Sequence, residues 1–206
     1  MYYDDLFDYL NFKKIEYDKK IITAKLNSYE IGGDADAIIV PSSLEEFCDV
    51  LSFLHSKKYR YYILGYGTNT FFSDNGYNGI IISTKKLSKV FIDNNYLCAQ
   101  CGASFTECSI FAMSNSLSGM EFACGIPGSI GGAVFMNSGA FDGVVSNVLK
   151  CSMVFDLSSK KIIELSYDEH LFETKSSVFQ NKNLILLSST FLLKKEEKHK
   201  IKKQMM

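Results

Sequence analysis

GIPGSIGGAVFMNSGAFDG, residues 125–143, carries six of the chain's 14 glycines, a density that the interior of a helix or strand does not tolerate without cause. In its first half Pro127 stiffens the loop, while Gly125, Gly128, Gly131 and Gly132 leave bare backbone. A flat ligand can then lie directly against the main chain. Ser129 is placed to cap a short helix whose N-terminal amides would face the same ligand. Close packing of helix or sheet would account for one or two of these glycines; four favour a ligand surface.

Upstream lies a second glycine-bearing stretch, LGYGTNTFFSDNGYNGIII, residues 64–82. A strand running into Gly-x-Gly can turn its backbone N–H groups into one concavity, and such a nest binds anionic oxygens without a formal charge. Thr68 and Asn69 add side-chain donors. The dinucleotide fingerprint needs a third glycine where Thr70 stands, and the phosphate loop of NTPases needs a Gly-Lys-Ser/Thr that is missing, so neither applies. An ordinary strand-exit turn is the other reading of Gly65 to Asn69.

Between and around these stretches the pattern alternates in kind. Residues 1–24 read as one or two short amphipathic helices. Ala37 to Val40 is a short apolar run closed by Pro41. Ser43 with Glu46 forms a capping box ahead of Leu44, Phe47, Leu51 and Leu54 at helical spacing, so a helix is expected over 44–57. Tyr61 to Leu64 is the next strand, which makes a parallel βαβ unit with a right-handed crossover; the loop at Gly65 sits at that strand's carboxyl end, where α/β proteins place ligands. Gly79 to Ser83 is a further strand. Val90 to Ile92 and Tyr96 to Cys101 pair as a hairpin through Asp93, Asn94 and Asn95. Ser104 with Glu107 opens a helix to about Ser116. Val148 to Asp156, Lys161 to Glu164 and Leu184 to Leu193 then read as strands of an antiparallel sheet.

The 206 residues are 47% hydrophobic and 22% charged, the balance of an ordinary globular chain, and a chain of this length buries about 70% of the surface it exposes when unfolded. Disulfides are not needed for stability. Lys plus Arg total 22 against 23 Asp plus Glu, a net charge of −1, which argues against a nucleic-acid partner held by a basic surface. Six lysines and two glutamates crowd 194–203 and read as a solvated helix face. No run approaches the roughly 20 apolar residues of a membrane span, and the acidic, interrupted N-terminus is unlike a secretory signal, so a cytoplasmic location without membrane contact is expected. Cys98 and Cys101 form a CxxC, but in a strand that offset puts the thiols on opposite faces; no metal site is expected.

Together the two glycine-rich stretches resemble one family closely. LGYGTNTFFSDNGYNGIII, then Cys101-Gly102-Ala103, then SGMEFACGIPGSIGGAVFMNSGAFDG follow the order found in the UDP-N-acetylenolpyruvoylglucosamine reductase (MurB) flavoproteins of peptidoglycan synthesis. SYEIGGDAD at 28–36 and SSVFQ at 176–180 match in the same order, so the resemblance runs from about Ala24 to Leu193. It implies an α+β chain with the two-subdomain FAD-binding fold of the vanillyl-alcohol-oxidase (PCMH) type, with subdomains at 1–83 and 84–193, the flavin between them, and 194–206 as the start of a linker helix to a third domain. It also implies a cofactor-binding set of Leu64, Gly65, Tyr66, Gly67, Thr68, Asn69, Gly102, Ala103, Gly125, Ile126, Pro127, Gly128, Ser129, Gly131, Gly132, Ala133, Ser138 and Gly139, with the Gly65 to Asn69 loop at the FAD pyrophosphate and the Gly125 to Ala133 loop along the flavin. The activity implied is NADPH-dependent reduction of UDP-N-acetylglucosamine enolpyruvate to UDP-N-acetylmuramate by a monomer, with the cofactor carrying the redox step.

The chain departs from that family in three places. The family continues into a third domain that supplies a protonating serine and a glutamate, for which nothing up to Met206 stands in. A Tyr-Arg pair of the family falls on Thr174 and Lys175, leaving Lys175 as the catalytic candidate; lysine keeps the charge and loses the planar fork. Glu30 stands where a basic residue is usual. Two alternatives accompany the reductase reading: an FAD-binding but catalytically incomplete protein, and another flavin oxidoreductase on the same fold. The MNSGAF segment speaks against the second.

Overall fold

The computed structural model of the chain describes residues 3–205, and these fall into two compact units, one ending at Leu87 and the other beginning at Ser88. No helix among the described residues is long and apolar enough to cross a membrane.

The first unit starts with α1 (Asp4–Lys13), which ends on Lys14 in the left-handed region. The next seven residues correct the all-helical expectation for 1–24, since Glu16–Ile22 is a strand, β1. Its residues pair antiparallel with β2 (Asp34–Val40), from Glu16 opposite Val40 to Ile22 opposite Asp34. Pairing with the next strand overrides a helix-like local pattern. Residues 1 and 2 lie outside the described residues. Helix α2 (Leu44–Ser56) begins as expected, with Ser43 Oγ accepting the Glu46 N–H at 3.1 Å. The return arm of the capping box is displaced, because the Glu46 carboxylate takes the backbone N–H and hydroxyl of Ser42 at 2.7 and 2.9 Å.

The βαβ unit holds with one change. Strands β3 (Tyr61–Leu64) and β4 (Tyr77–Ser83) are parallel to β2, but the sheet order β1-β2-β4-β3 inserts β4 between the two strands that α2 connects. Leu6 and Leu10 of α1, Phe47, Val50, Leu51 and Leu54 of α2, and Ile39, Ile80 and Ile82 of the sheet are all fully buried. Ile81 points to the other face by the strand's period of two and joins Ala35, Ile38, Leu64 and Phe72 in a second buried cluster. Burial on both faces is what a parallel arrangement requires.

In the second unit, β5 (Val90–Asp93) and β6 (Tyr96–Gln100) form the expected hairpin, with Asn94 at φ +56° in the turn. Helix α3 (Phe105–Ser114) is capped by Ser104, whose Oγ accepts the Glu107 N–H at 3.2 Å. After the two-residue strand β7 (Leu117–Ser118) come α4 (Ile130–Phe135) and the short pair β8 (Gly139–Ala140) and β9 (Gly143–Val144). Strands β10 (Leu149–Asp156), β11 (Lys161–Ser166) and β12 (Leu184–Leu192) complete a five-stranded antiparallel sheet in the order β11-β10-β12-β6-β5. β13 (Lys194–Lys195) pairs with β7, and α5 (Lys198–Gln204) buries Ile201 while its lysines stay exposed. Cys98 lies within β6 and is half-buried; Cys101 is just past its end and buried.

His170 is fully buried in this unit. Its Nδ1 lies 2.8 Å from the Ser166 carbonyl, which can only accept, so Nδ1 carries the proton and Nε2 accepts from the Ser152 hydroxyl at 2.9 Å. Ser189 Oγ lies 2.9 Å from Ser152 Oγ and completes the chain of hydroxyls. The ring stacks on Phe172 at 5.1 Å, and burial pushes its pKa below the ordinary histidine value.

Candidate flavin site

In the first unit the candidate loop leaves the carboxyl end of β3, alongside the end of β4, where the Thr84 N–H donates to the Leu64 carbonyl at 3.0 Å. Gly67 explains the Gly-x-Gly spacing. Its φ is +71°, and a Cβ there would stand 2.8 Å from the Asn27 Cα and closer still to the Leu26 carbonyl oxygen. The Gly67 carbonyl in turn accepts the Ser28 N–H at 3.0 Å. The loop therefore rests on the segment 26–28, which a buried side chain holds in shape: Asn27 Nδ2 donates to the carbonyls of Thr23 and Ile31, both at 2.9 Å, and its Oδ1 accepts the Tyr29 N–H at 3.0 Å. The sequence reading matched 28–36 by resemblance alone and passed over Asn27. Among the described residues the N–H groups of Gly65, Gly67 and Asn69 donate to nothing. Leu64 is buried, Gly65, Tyr66 and Thr68 are half-buried, and Asn69 is exposed.

In the second unit two loops interlock. Phe105 N–H donates to the Gly128 carbonyl at 2.9 Å, Ile130 N–H to Ala103 at 2.8 Å, and Gly131 N–H to Cys101 at 2.7 Å. Thr106 Oγ1 adds a bond to the Ile126 carbonyl at 3.0 Å. Gly102, Ala103, Ile126, Gly128, Ser129 and Gly131 are thus brought into one layer of backbone. Ser129 does cap α4, accepting the Gly132 N–H at 3.2 Å.

That geometry corrects one expectation. The first amides of α4 do not face outward to a ligand: Ile130 and Gly131 are bonded to the facing loop, Gly132 to the Ser129 hydroxyl and Ala133 to the Ser129 carbonyl at 2.8 Å. Gly131 is bare because a Cβ would stand 2.9 Å from the Cys101 carbonyl oxygen, which is a packing requirement. The open backbone lies beside it. A Cβ on Gly125 would meet nothing within 4 Å, and one on Gly132 only the Ser129 hydroxyl at 3.6 Å. Among the described residues the N–H groups of Gly128 and Ser129 make no hydrogen bond, although Ser129 is buried.

The MNSGAF segment wraps the end of α4. Asn137, absent from the sequence-derived set, is 8% exposed with φ +44°. It donates from Nδ2 to the Glu173 carbonyl at 3.1 Å and accepts the Ser146 N–H at 3.0 Å. The signal was available: asparagine just past a helix end is a left-handed cap. Ser138 N–H donates to the Ala133 carbonyl at 2.8 Å, and Gly139 lies in β8, opposite Val144 of β9. Lys175 occupies the turn closed by the Glu173–Ser176 pair, at φ +55°. Its carbonyl accepts Gln180 Nε2 at 3.0 Å, and Gln180 and Ser177 also bond the Phe135 carbonyl at 3.3 and 2.7 Å. The Lys175 backbone is therefore anchored on the end of α4 while its side chain is exposed.

Two of the six thiols are held out of reach of nucleophilic chemistry. Burial pushes Cys108 up to about 12 and Cys48 to about 11, which keeps both protonated at neutral pH.

A family model described as FAD binding domain matches residues 35–165. The chain belongs to the FAD binding domain family. Its curated relatives include the UDP-N-acetylenolpyruvoylglucosamine reductases of Clostridium botulinum (strain Eklund 17B / Type B), 37% identical over 84% of this chain and 57% of the relative, and of Clostridium novyi (strain NT), 35% identical over 93% and 62%. The chain thus spans about three fifths of the length of these relatives. Of solved structures, the reductase (MurB) from Thermus caldophilus superposes with a TM-score of 0.79 at 22% identity, over 93% of this chain and 67% of that one. A point mutant of cholesterol oxidase from Brevibacterium sterolicum superposes at 0.65 and 13% identity, over 89% and 38%. The resemblance to the MurB family and the α+β FAD-binding fold it implied therefore hold.

Proposed function

We propose that this FAD-binding chain serves the NADPH-dependent reduction of UDP-N-acetylglucosamine enolpyruvate to UDP-N-acetylmuramate, in peptidoglycan precursor synthesis. The observation that carries the reading is the set of unengaged main-chain donors, Gly65, Gly67 and Asn69 in one unit and Gly128 and Ser129 in the other. Unengaged amides in glycine loops suit phosphate oxygens and the heteroatoms of a flavin edge. The open backbone at Gly125 and Gly132 suits a flat ring.

Bound FAD would supply hydride-transfer chemistry between NADPH and the enolpyruvyl double bond. The chain's part is to bind and orient. Leu64 to Asn69 would hold the pyrophosphate; Gly102, Ala103, Gly125 to Ser129, Gly131 to Ala133, Ser138 and Gly139 would line the flavin. Lys175 would set an ammonium beside the substrate's carboxylate or enolate, stabilising negative charge without a guanidinium's two parallel bonds.

Titration of the purified, folded chain with FAD tests the reading. The expected result is saturable quenching of flavin fluorescence, with the bound flavin bleached by NADPH and efficiently restored by the enolpyruvyl sugar only when a family third domain is attached. A folded chain that leaves FAD fluorescence unchanged would overturn it.

A further inference from the structure

The loop proposed to hold the FAD pyrophosphate contains no cation of its own, since residues 64–84 include neither lysine nor arginine. Its neutral amides can bind an anion, but hydrogen bonds assisted by a formal charge are roughly twice as strong. A cation stands at the next strand exit. Register places Leu64 opposite Ser83, and the Thr84 N–H bonds the Leu64 carbonyl at 3.0 Å, so the residue that follows lies alongside Gly65 and Tyr66. That residue is Lys85. Its Nζ stands 5.8 Å from the centre of the Tyr66 ring, inside the loop's Gly-x-Gly, within the reach of a cation–π contact.

Lys85 differs from its neighbour in being uncommitted. Lys86 Nζ is paired with Glu16 at 2.5 Å, whereas no carboxylate among the described residues lies within ion-pairing distance of Lys85. The side chain is exposed, so its charge is available to a ligand, and its Nζ lies over the Tyr66 ring on the loop's side. We infer that Lys85 is an FAD-binding residue that meets the pyrophosphate at the Gly65 to Asn69 loop. The inference rests on the flavin reading above and adds a residue that lies outside both glycine-rich stretches.

The experiment is an FAD titration of the full chain, wild type beside Lys85→Met and Lys85→Arg, at low salt and at high salt. Methionine keeps a flexible apolar stem and removes the charge, and circular dichroism confirms that each variant is folded. Lys85→Met should weaken FAD binding about tenfold at low salt, the gap should shrink at high salt where exposed charges are screened, and Lys85→Arg should bind within a factor of about two of wild type. Equal FAD affinity of wild type and Lys85→Met, or a loss that is the same at both salts and is not restored by arginine, would overturn the role of Lys85 while leaving the flavin reading intact. A wild-type chain that does not bind FAD at all would overturn both.

Discussion

At the scale of single residues, the glycine-rich stretch divides into positions that serve packing and positions that leave backbone open. Gly131 and Gly132 are adjacent, yet a Cβ on the first would press on the Cys101 carbonyl at 2.9 Å and one on the second meets only a hydroxyl at 3.6 Å. Gly131→Val should therefore destabilise the apo chain by about 2 kcal/mol through overpacking. Gly132→Ala should stabilise it by about 0.5–1 kcal/mol, the ordinary gain of alanine over glycine in a helix. If the flavin lies against this backbone, the same Gly132→Ala must weaken FAD binding, so stability in urea and FAD affinity move in opposite directions; a variant that gains in both would remove Gly132 from the flavin surface. Asn137 makes a parallel case for a positioning residue. Asn137→Gly keeps the left-handed backbone and loses two hydrogen bonds, about 2 kcal/mol at roughly 1 each, while Asn137→Ala loses the same bonds and adds about 1 kcal/mol of backbone strain. Urea denaturation should rank the three in that order, and equal stability of the glycine and alanine variants would contradict the backbone argument.

At the scale of elements, the sequence announced what local chemistry decides. Ser43 and Ser104 cap their helices, Asn94 turns its hairpin, and the alternation of Leu97 and Ala99 with Cys98 puts β6 in the sheet with one face inward. What distant partners decide was not legible. β1 is a strand because β2 lies beside it, and nothing in EYDKKII signals that neighbour; β4 separates β2 from β3, an order that periodicity does not encode. The outward aim of the α4 amides failed for the same reason, since the carbonyls of Cys101 and Ala103 that take them arrive from a loop nearly thirty residues earlier. His170 joins β10, β11 and β12 through Ser152, Ser166 and Ser189, and it makes the second unit sensitive to acid. Its folded pKa is lowered chiefly by burial, with backbone hydrogen bonds and Glu169 opposing. The unfolded chain therefore takes up this proton first as pH falls. The stability due to neutral His170 is complete above about pH 6.5, the ordinary value, and is lost as pH falls from there through the lowered folded value. Urea midpoints measured between pH 7.5 and 5.5 should decline in wild type, and His170→Asn should start lower and decline less. An unchanged slope in the variant would assign the acid sensitivity to other groups.

At the scale of the whole molecule, the chain carries unengaged donors in each of its two compact units, and the flavin reading makes a separate prediction for each set. A ligand that binds only the folded state stabilises it by RT ln(1 + [L]/Kd), about 2.7 kcal/mol at a hundredfold excess over Kd. A unit that the ligand engages shows that stabilisation, and a unit that it does not engage keeps its own opening equilibrium. Amide hydrogen exchange with and without FAD reads the difference at named positions. Saturating FAD should slow exchange at Gly65, Gly67 and Asn69 in the first unit and at Gly128 and Ser129 in the second, the five amides that have no partner among the described residues. Gly131 serves as the internal control, since its N–H is already bonded to Cys101 at 2.7 Å and should change least. Protection at Gly128 and Ser129 with none at Gly65, Gly67 or Asn69 would mean that the first loop is a strand-exit turn after all, and that the pyrophosphate is held elsewhere.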